Sequence, residues 1–305
     1  MGQFVQLVVN GLTLGSLYAL IALGYSLVYG VLKLLNFAHG EVYMIGSFIG
    51  YGVLQTLGGA KDPSLPIVVL LPLLLVVAAL GAGLVGVAVE RFAYRPLRTA
   101  PRIAPLVSAL GVSMFLQAAV LLVVGARIVR YESERLVDVR SGIHVGVLNI
   151  SVMRLFVIGV SALVMVSLSI FTRRSKLGKA MRAVSYDAEA AQMMGMDVNR
   201  IVMVTFFVGS ALAGIGGVMS GLVYNRVFHT MGFVAGLKGF TASVVGGIGS
   251  VPGAMAGGLI IGFAESFAQG YVSTTFYDVV VFVVLIAFLL VRPRGLFGIA
   301  EIKKV

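Results

Sequence analysis

The stretch from Pro66 to Val89 decides the fold class: it reads PIVVLLPLLLVVAALGAGLVGVAV and contains no charged residue. A membrane-spanning helix needs about 20 mostly apolar residues, and this stretch is long enough to form one. The whole chain of 305 residues shows the same bias, since 59% of it is hydrophobic and only 11% is charged. A soluble domain carries about 25% charged residues. The composition therefore predicts a polytopic membrane protein and excludes an ordinary soluble enzyme, a disordered chain and a disulfide scaffold.

Seven other apolar runs are similar in length and composition, so we expect an all-α fold with about eight transmembrane helices. A shorter stretch, roughly 239–250, is rich in glycine and is too short to span the bilayer as a straight helix. Non-helical backbone is tolerated at membrane depth only where protein or water satisfies its polar groups. We therefore predict a broken or re-entrant helix there, beside a cavity. The eight runs are roughly 5–31, 37–57, 66–89, 104–125, 153–171, 201–223, 253–271 and 276–291.

Lys and Arg residues are divided unequally between the two sets of loops, and cytoplasmic loops normally carry the excess. The richer side is therefore predicted to be cytoplasmic, with the C-terminus inside and the N-terminus outside, which requires segment 239–250 to count as a short crossing. The richer side holds 15 of them: Lys33, Arg91, Arg95, Arg98, Arg102, Arg173, Arg174, Lys176, Lys179, Arg182, Arg200, Arg292, Arg294, Lys303 and Lys304. The opposite side holds 8: Lys61, Arg127, Arg130, Arg135, Arg140, Arg154, Arg226 and Lys238.

Several kinds of chemistry are disfavoured by what the chain lacks. It has no cysteine, and its three histidines are far apart, so neither a disulfide nor a metal site is expected. The net charge of +11 is explained by basic cytoplasmic loops rather than by nucleic-acid binding. Residues Gly81–Gly86 fit GxGxxG, but they lie inside an apolar run with no preceding strand, and no GxxxxGK[ST] motif occurs. We expect no nucleotide-binding and no catalytic site.

Two segments interrupt the apolar sequence with polar residues and glycines. The first contains Asn36, His39, Gly40 and Glu41, and the second, from Lys238 to Gly253, contains Thr241, Ser243, Gly246 and Gly247. Polar groups inside a membrane are costly and often mark a transport pathway. The alternative is a hydrogen bond between helices, and both readings stay open for the first segment. For Glu265 and Asp278, in the last two apolar runs, the hydrogen-bonded alternative is favoured.

The basic loop of about residues 173–200 contains the signals of a short helix. Asp187 is a plausible N-cap and Gly195 a plausible stop, with about two helical turns between them. Such a helix is not stable alone in water and needs a surface to pack on, so we prefer a docking segment over a solvated connector. The residues expected to face a partner protein are small or flexible: Ala188, Ala190, Ala191, Met193 and Met194.

This loop resembles the coupling loop of bacterial ABC-importer permeases, the segment that docks on the ATPase subunit. Along the whole chain, short motifs are similar in order and spacing to those of branched-chain amino acid ABC transporter permeases of the LivH type. Each motif is weak alone, but the series runs from end to end and is specific as a set. The motifs span Asn10–Leu20, Asn36–Met44, Tyr94–Arg98, Arg182–Asp187, Gly246–Gly253 and Arg292–Leu296.

The resemblance implies a single transmembrane permease domain over residues 1–305 in the bacterial inner membrane, with an extracytoplasmic loop at about 126–152 whose sequence favours a small hairpin. The implied partners are a second, homologous permease, two ATPase subunits, an extracytoplasmic amino-acid-binding protein and the lipid bilayer, with no nucleic acid. ATP is bound by the ATPase subunits, so this chain needs no cofactor and is not an enzyme. The ATPase contact is expected in the coupling loop, at Gly178, Arg182, Ala183, Asp187, Ala190, Ala191 and Gly195.

The two interrupted segments are the natural place for a substrate route in such a permease. We hypothesise that Asn36–Gly46 and Lys238–Gly253 meet near mid-membrane, where backbone groups of broken helices bind the ammonium and carboxylate of an amino acid. Apolar neighbours, Phe37, Val42, Val244 and Ile248, would accept an aliphatic side chain. A valine at Gly246 or Gly247 is then expected to block passage without disturbing assembly. The alternative is that these glycines only pack helices.

Three other readings differ from a branched-chain amino acid permease. The first is a permease of the same family for another amino acid, an amide or urea. The second is a stand-alone secondary transporter or channel, in which Glu41, Glu265 and Asp278 would carry the coupling ions. The third is an intramembrane enzyme, which is disfavoured because no HExxH, no GxSxG and no clustered acid–base set occurs.

Overall fold

A computed structural model describes residues 2–101, 103–137, 142–145 and 148–298 of the chain, and these form an all-α membrane protein with one small hairpin. Each of the eight predicted runs is a helix, which confirms the predicted fold class. The helices are α1 (Gly2–Leu32), α2 (His39–Thr56), α3 (Ile67–Val89), α4 (Ile103–Val124), α5 (Ser133–Leu136), α6 (Val152–Arg174), α7 (Lys176–Tyr186), α8 (Ala188–Met193), α9 (Val198–Tyr224), α10 (Met231–Gly246), α11 (Val251–Tyr271) and α12 (Tyr277–Val291).

Six helices in the described ranges are long and apolar enough to cross a membrane: α1, α3 with its continuation to Leu97, α4, α6, α9 and α11. The continuation of α3 is a π-helical turn, Glu90–Tyr94, followed by a 3-10 turn, Arg95–Leu97. Helices α10 and α12 are apolar but shorter, with 16 and 15 residues. Helix α2 has 18 residues and begins with His39, Gly40 and Glu41. The membrane-spanning set therefore mixes long helices with shorter ones.

The segment predicted to be a short broken helix differs from the prediction. The sequence placed it at about 239–250, but α10 begins at Met231 and ends at Gly246, before a turn leads into α11. The charge of Lys238 suggested that the apolar run begins only after this residue. In the structure Lys238 is buried in the middle of α10 and its charge is paired, so the helix continues through it.

Glycines allow the central helices to approach each other closely. A Cβ atom added at Gly262 of α11 would lie 2.1 Å from the backbone nitrogen of Gly15 in α1. A Cβ atom added at Gly46 of α2 would lie 2.3 Å from the Cα atom of Gly214 in α9. Small residues permit such backbone contacts between membrane helices. The glycines at these contacts therefore pack helices.

Burial separates a central group of helices from a peripheral group. In α1 and α9, 78% and 67% of the residues in an apolar stretch of 18 residues are buried within the chain. In α4 and α6 the corresponding fractions are 11% and 22%. Helix α12 buries only Val281 among its 15 residues. We call α1, α2, α9, α10 and α11 the central helices, and α4, α6 and α12 the peripheral helices.

Two other predicted features lie in the segments between helices. The hairpin predicted within 126–152 is present and consists of β1 (Gly142–Val145) and β2 (Leu148–Ser151). The two strands are antiparallel, with Gly142 opposite Ser151. The ends of α1, α3, α6 and α12, next to most of the basic residues, lie on one side of the protein, which we call the basic face. Four residues counted in the orientation argument lie outside the described ranges: Arg102, Arg140, Lys303 and Lys304.

Candidate functional site

The break between α1 and α2 is an ordered turn built around Asn36. The Asn36 side-chain oxygen accepts hydrogen bonds from the Ala38 N–H at 3.2 Å and from the Tyr94 hydroxyl at 3.2 Å. The Tyr94 hydroxyl also lies 3.1 Å from the carbonyl oxygen of Leu35. Asn36 is only 2% exposed, so its polar atoms are used to hold the turn. Asn36 therefore has a structural role here, beside any role in transport.

Two ionisable residues at the start of α2 are buried against other helices. The His39 ring packs edge-on against Tyr25 of α1, with centroids 4.8 Å apart, and fills the space left by Gly24. Glu41 accepts hydrogen bonds from Ser113 at 3.1 Å and from Gln117 at 2.7 Å, both in α4. Glu41 thus ties the exposed helix α4 to the central helices. Its second carboxylate oxygen is buried and makes no hydrogen bond with the described residues.

The two interrupted segments touch each other. The rings of Phe37 and Phe240 lie 5.9 Å apart, and Gly40 packs on Gly232 and Gly236 of α10 so closely that a Cβ atom at Gly40 would lie 2.2 Å from the Gly232 carbonyl oxygen. Gly232 and Gly236 precede Lys238, so the contact with Gly40 involves a part of α10 outside the predicted segment Lys238–Gly253. Whether this contact lines a substrate route stays a prediction.

The hydroxyls proposed for the route are used inside α10. Thr241 donates to the Leu237 carbonyl at 2.9 Å, and Ser243 donates to the Phe240 carbonyl at 2.8 Å. Both residues are completely buried. Hydroxyls that bond to the preceding turn of their own helix satisfy their polar groups locally. In this conformation Thr241 and Ser243 are therefore packing residues.

Gly246 and Gly247 are also packing positions, and the expectation that a side chain there would enter an open route is wrong for this conformation. A Cβ atom at Gly246 would lie 1.9 Å from the carbonyl oxygen of Gly253. Gly247 has a φ of +105°, which disfavours other residues, and it lies against the backbone of the C-terminal segment. Leu296 and Phe297 donate their N–H groups to this end of α10 at 3.0 and 2.9 Å. Valine at Gly246 would therefore disturb the fold itself.

Lys238 forms an ionic cluster that the sequence analysis missed, because it placed Lys238 in an outer loop. Lys238 and Glu265 are buried, whereas the Asp278 side chain is 43% exposed. The Lys238 ammonium lies 2.8 Å from Glu265 of α11 and 2.7 Å from Asp278 of α12. The other Glu265 oxygen accepts a hydrogen bond of 2.8 Å from the Tyr18 hydroxyl of α1. The favoured reading of Glu265 and Asp278 as paired groups is confirmed. Without Lys238 the less basic set of loops holds 7 basic residues instead of 8, so the charge asymmetry becomes larger.

A second cluster joins the end of α3 to α9 on the basic face. Glu90 is fully buried and is bound by the guanidinium groups of Arg95, at 2.9 Å, and Arg98. Arg98 also donates to Asn199, in the first turn of α9, at 2.7 Å. The cluster contains the Tyr94–Arg98 motif, and the isolated glutamate at the end of an apolar run was the signal that could have revealed it.

A cavity of about 650 Å³ lies on the basic face, between the ends of α1 and α6, helix α7, the α10–α11 turn and the C-terminal segment. It is lined by Val244 and Ile248, two of the apolar residues named for the substrate side chain. None of the eight polar and glycine positions proposed for the route lines it, because those positions are occupied in helix packing. Among the described residues, no cluster of His, Asp or Glu could hold a metal ion.

The basic loop of about residues 173–200 folds as two helices, α7 and α8, and its predicted caps are confirmed. The Asp187 carboxylate accepts hydrogen bonds from the N–H groups of Glu189 at 3.1 Å and Ala190 at 3.0 Å. Gly195 has a φ of +81° and follows the last turn of α8. Before it, Gly178 packs on the Thr172 carbonyl at the end of α6. The segment is therefore a defined structure that α6 and α9 support.

The exposed side of this segment agrees with the expected face except at Ala191. Ala191 is only 5% exposed and packs inside the chain with Met181, Val184 and Ile201. Ala191 thus cannot meet a partner in this conformation, whereas Ala188 is exposed and Ala190 is partly exposed. Met193 and Met194, which were also expected on this face, are 82% and 80% exposed, and Tyr186, which was not, is 76% exposed.

Comparisons with known proteins agree on one family. The model of a family described as “Branched-chain amino acid transport system / permease component” matches residues 7–289. The chain is 43% identical to the high-affinity branched-chain amino acid transport system permease protein BraD of Pseudomonas aeruginosa, over 99% of this chain and 98% of that one. It is 42% identical to the permease protein LivH of Escherichia coli strain K12, with the same coverage of both chains. A probable branched-chain amino acid transport permease, LivH of Methanocaldococcus jannaschii, is 29% identical over 93% of this chain and 89% of its own.

Proposed function

Because the chain belongs to the family of branched-chain amino acid transport permease components, we propose that it is the membrane-spanning permease subunit of a bacterial ABC importer for Leu, Ile and Val. The observation that carries this proposal is the 43% identity over nearly the whole length of both chains. The multi-pass helical fold agrees with a place in the inner membrane. The chain performs no chemistry in this role and provides the passage.

Separate ATPase subunits supply the energy in this proposal, and α7 and α8 are their docking site. The exposed Tyr186, Met193 and Met194 support this, because large apolar side chains on an otherwise polar loop are typical of a binding surface. Methionine adapts to an irregular groove on a partner. Helix α8 has only six residues and is held by its cap and by α9, so a push on its surface would be transmitted to α9.

A second permease completes the passage in this proposal. The central helices pack tightly within one chain, whereas α4, α6 and α12 leave most of their apolar surface open to lipid or to another subunit. Glu41 connects this surface to the central helices, since it bonds to Ser113 and Gln117 of α4. A shift of α4 against a partner permease would thus displace Glu41 and with it the start of α2.

The basic face is the cytoplasmic side in this proposal, which places the C-terminus in the cytoplasm. The coupling helices, the Glu90 cluster and the C-terminal segment all lie on that face, where the ATPase subunits would dock. The β1–β2 hairpin belongs to the opposite side, where an extracytoplasmic binding protein would deliver the amino acid. Closure of the ATPase dimer on ATP would favour one orientation of the helices, because a ligand shifts a conformational equilibrium only through its different affinity for the two states.

Affinity purification of the tagged full-length chain in mild detergent tests the proposal. We expect a second permease and ATPase subunits to co-purify, and the complex in proteoliposomes to take up Leu, Ile and Val when ATP and the binding protein are supplied. Competition by other amino acids, amides and urea then distinguishes the substrate class. A chain that purifies without an ATPase and transports a solute down an ion gradient would contradict the proposal and support a secondary transporter.

A further inference from the structure

The cavity on the basic face is surrounded by positive charge. Among its described lining residues four are cationic and none is acidic; the cations are Lys33, Arg173, Arg182 and Arg294. The Arg182 guanidinium is held in place because it donates to the backbone carbonyls of Thr172 and Arg173 at the end of α6. Four cations around one cavity, with no acidic group among them, create a field that attracts an anion.

Two further groups in the same cavity favour an anion. Helix α11 begins there, with Ser250, Val251 and Pro252 among the lining residues, and the N-terminal end of this 21-residue helix carries a partial positive charge. The Ser26 hydroxyl also lines the cavity, is 1% exposed and has no hydrogen-bond partner among the described residues. A buried hydroxyl without a partner is costly unless a ligand completes it. Its O–H group is therefore available to donate to a bound anion.

The remaining wall of the cavity is apolar. Leu27 and Val31 of α1 lie on one side, and Val244 and Ile248, from α10 and the turn after it, lie on the other. A small inorganic anion would gain nothing from these side chains, whereas a hydrocarbon chain would gain from each apolar surface that it removes from water. The cavity thus combines a cationic rim with an apolar interior, at the end of the helices where the bilayer surface is expected.

We propose that this cavity binds an anionic phospholipid, with its phosphate among the four cations and Ser26 and part of an acyl chain along Leu27, Val31, Val244 and Ile248. Basic pockets between membrane helices on the cytoplasmic side are suited to such headgroups. The lipid contacts α1, α7, α11 and the C-terminal segment at once. It therefore braces the coupling helices against the membrane helices, and this role does not depend on which solute the chain transports.

A titration of the detergent-purified full-length chain with short-chain phosphatidylglycerol, followed by native mass spectrometry and thermal unfolding, tests the site. In the double variant K33Q/R294Q we expect the apparent affinity to fall about thirtyfold, because each Lys or Arg near anionic lipid contributes about a factor of five. The matched control is K179Q/R292Q, which removes the same charge from the same face at two positions that do not line the cavity. We expect the control to change the affinity by less than about threefold.

A second variant keeps every cation and fills the space. In G30L the new Cβ atom would lie 3.5 Å from the Gly249 carbonyl oxygen, an ordinary contact, so the chain should fold while the leucine occupies the apolar part of the cavity. We expect lipid binding to be lost in G30L and retained in the control G52L, where a Cβ atom has no neighbour within 4 Å among the described residues.

Four results would overturn the assignment. Equal weakening in K33Q/R294Q and K179Q/R292Q would mean attraction by net charge alone. Binding of phosphatidylcholine as tightly as phosphatidylglycerol would exclude a site for an anionic headgroup, and equal stabilisation by inorganic phosphate would assign the cavity to a free anion. Unchanged lipid binding together with loss of the ATPase in K33Q/R294Q would assign these cations to an acidic surface of the ATPase subunit.

Discussion

The central and the peripheral helices of this protein are packed in different ways. Helices α1 and α11 approach through glycines so closely that Gly15 and Gly262 leave no room for a side chain. Helices α4 and α6 instead expose leucine, valine and phenylalanine on the outside, and only 11% and 22% of the residues in their apolar 18-residue stretches are buried. The central helices therefore bury most of their surface within one chain, whereas the peripheral helices need lipid or another subunit to cover their apolar surface.

Apolar side chains such as Val157 and Val281 pack the peripheral helices on the central ones, and polar links are added to these contacts. Glu41 binds two side chains of α4, and Lys238 binds Asp278 at the start of α12. Because the hydrophobic effect does not hold helices together inside lipid, hydrogen bonds and ion pairs between them have a larger relative weight. The comparison thus predicts that single polar links matter for the peripheral helices, and that single glycines matter for the central ones.

The largest effect is expected from the buried Lys238–Glu265 pair. Lys238→Met leaves Glu265 and Asp278 without their cation, and removal of one partner of a buried pair costs about 3–5 kcal/mol. We expect a strong loss of folded protein, measured as thermal stability and yield in detergent. Arg135→Met is the matched control, because its pair with Glu132 is exposed and contributes about 0–1 kcal/mol.

Replacement of both Lys238 and Glu265 by methionine should recover part of the loss, because it removes the buried pair rather than one partner. Equal stability of Lys238→Met and Arg135→Met would show that the cluster does not hold the helices together.

A somewhat smaller effect is expected from overpacking the central contact. In Gly262→Val the new side chain meets the backbone of Gly15, which cannot rotate away, so we expect a loss of about 3 kcal/mol. Gly159→Val in α6 is the control, since a Cβ atom there has no neighbour within 4 Å among the described residues. Unfolding in detergent measures both variants. If Gly159→Val were as damaging as Gly262→Val, the division into two groups of helices would be wrong.

Sequence patterns predicted the features that depend on neighbouring residues. Apolar runs gave the eight helices, and Asp187 and Gly195 bounded α8, because a cap acts within one turn of its own helix. The pairing of Lys238 with Glu265 could not be predicted, since it joins residues that are far apart in the chain and depends on how α10 packs on α11. The burial of Ala191 was missed for the same reason: a helix of six residues has no periodicity from which its inner face can be identified.

The loop that contains α7 and α8 offers a comparison of an inner and an outer residue. Ala191→Glu places an unpaired carboxylate inside the Met181–Ile201 cluster, so we expect a loss of about 1–3 kcal/mol in the stability of the chain itself. Met193→Glu lies on the surface and should leave stability unchanged, but should weaken ATPase retention or uncouple ATP hydrolysis from uptake. Thermal unfolding and ATPase co-purification separate the two. Full ATPase retention and normal uptake in Met193→Glu would move the docking surface elsewhere.

The smallest effect is expected at the cap of α8. Asp187→Ala removes two hydrogen bonds to backbone N–H groups and should cost about 1 kcal/mol of local helix stability. Glu189→Ala, in the same turn, should cost only a few tenths of a kcal/mol through the helix dipole. Amide hydrogen exchange across 188–193 measures both. Equal exchange in the two variants would mean that the Asp187 cap does not stabilise α8.

The most direct test of the central claim is uptake of labelled leucine into proteoliposomes that contain this chain with or without its ATPase subunits. We expect uptake only when the second permease, the ATPase subunits, the binding protein and ATP are all present, and loss of that uptake when ATP is replaced by a non-hydrolysable analogue. Leucine uptake by this chain alone, or uptake that persists without ATP, would contradict its assignment as a permease subunit driven by separate ATPases.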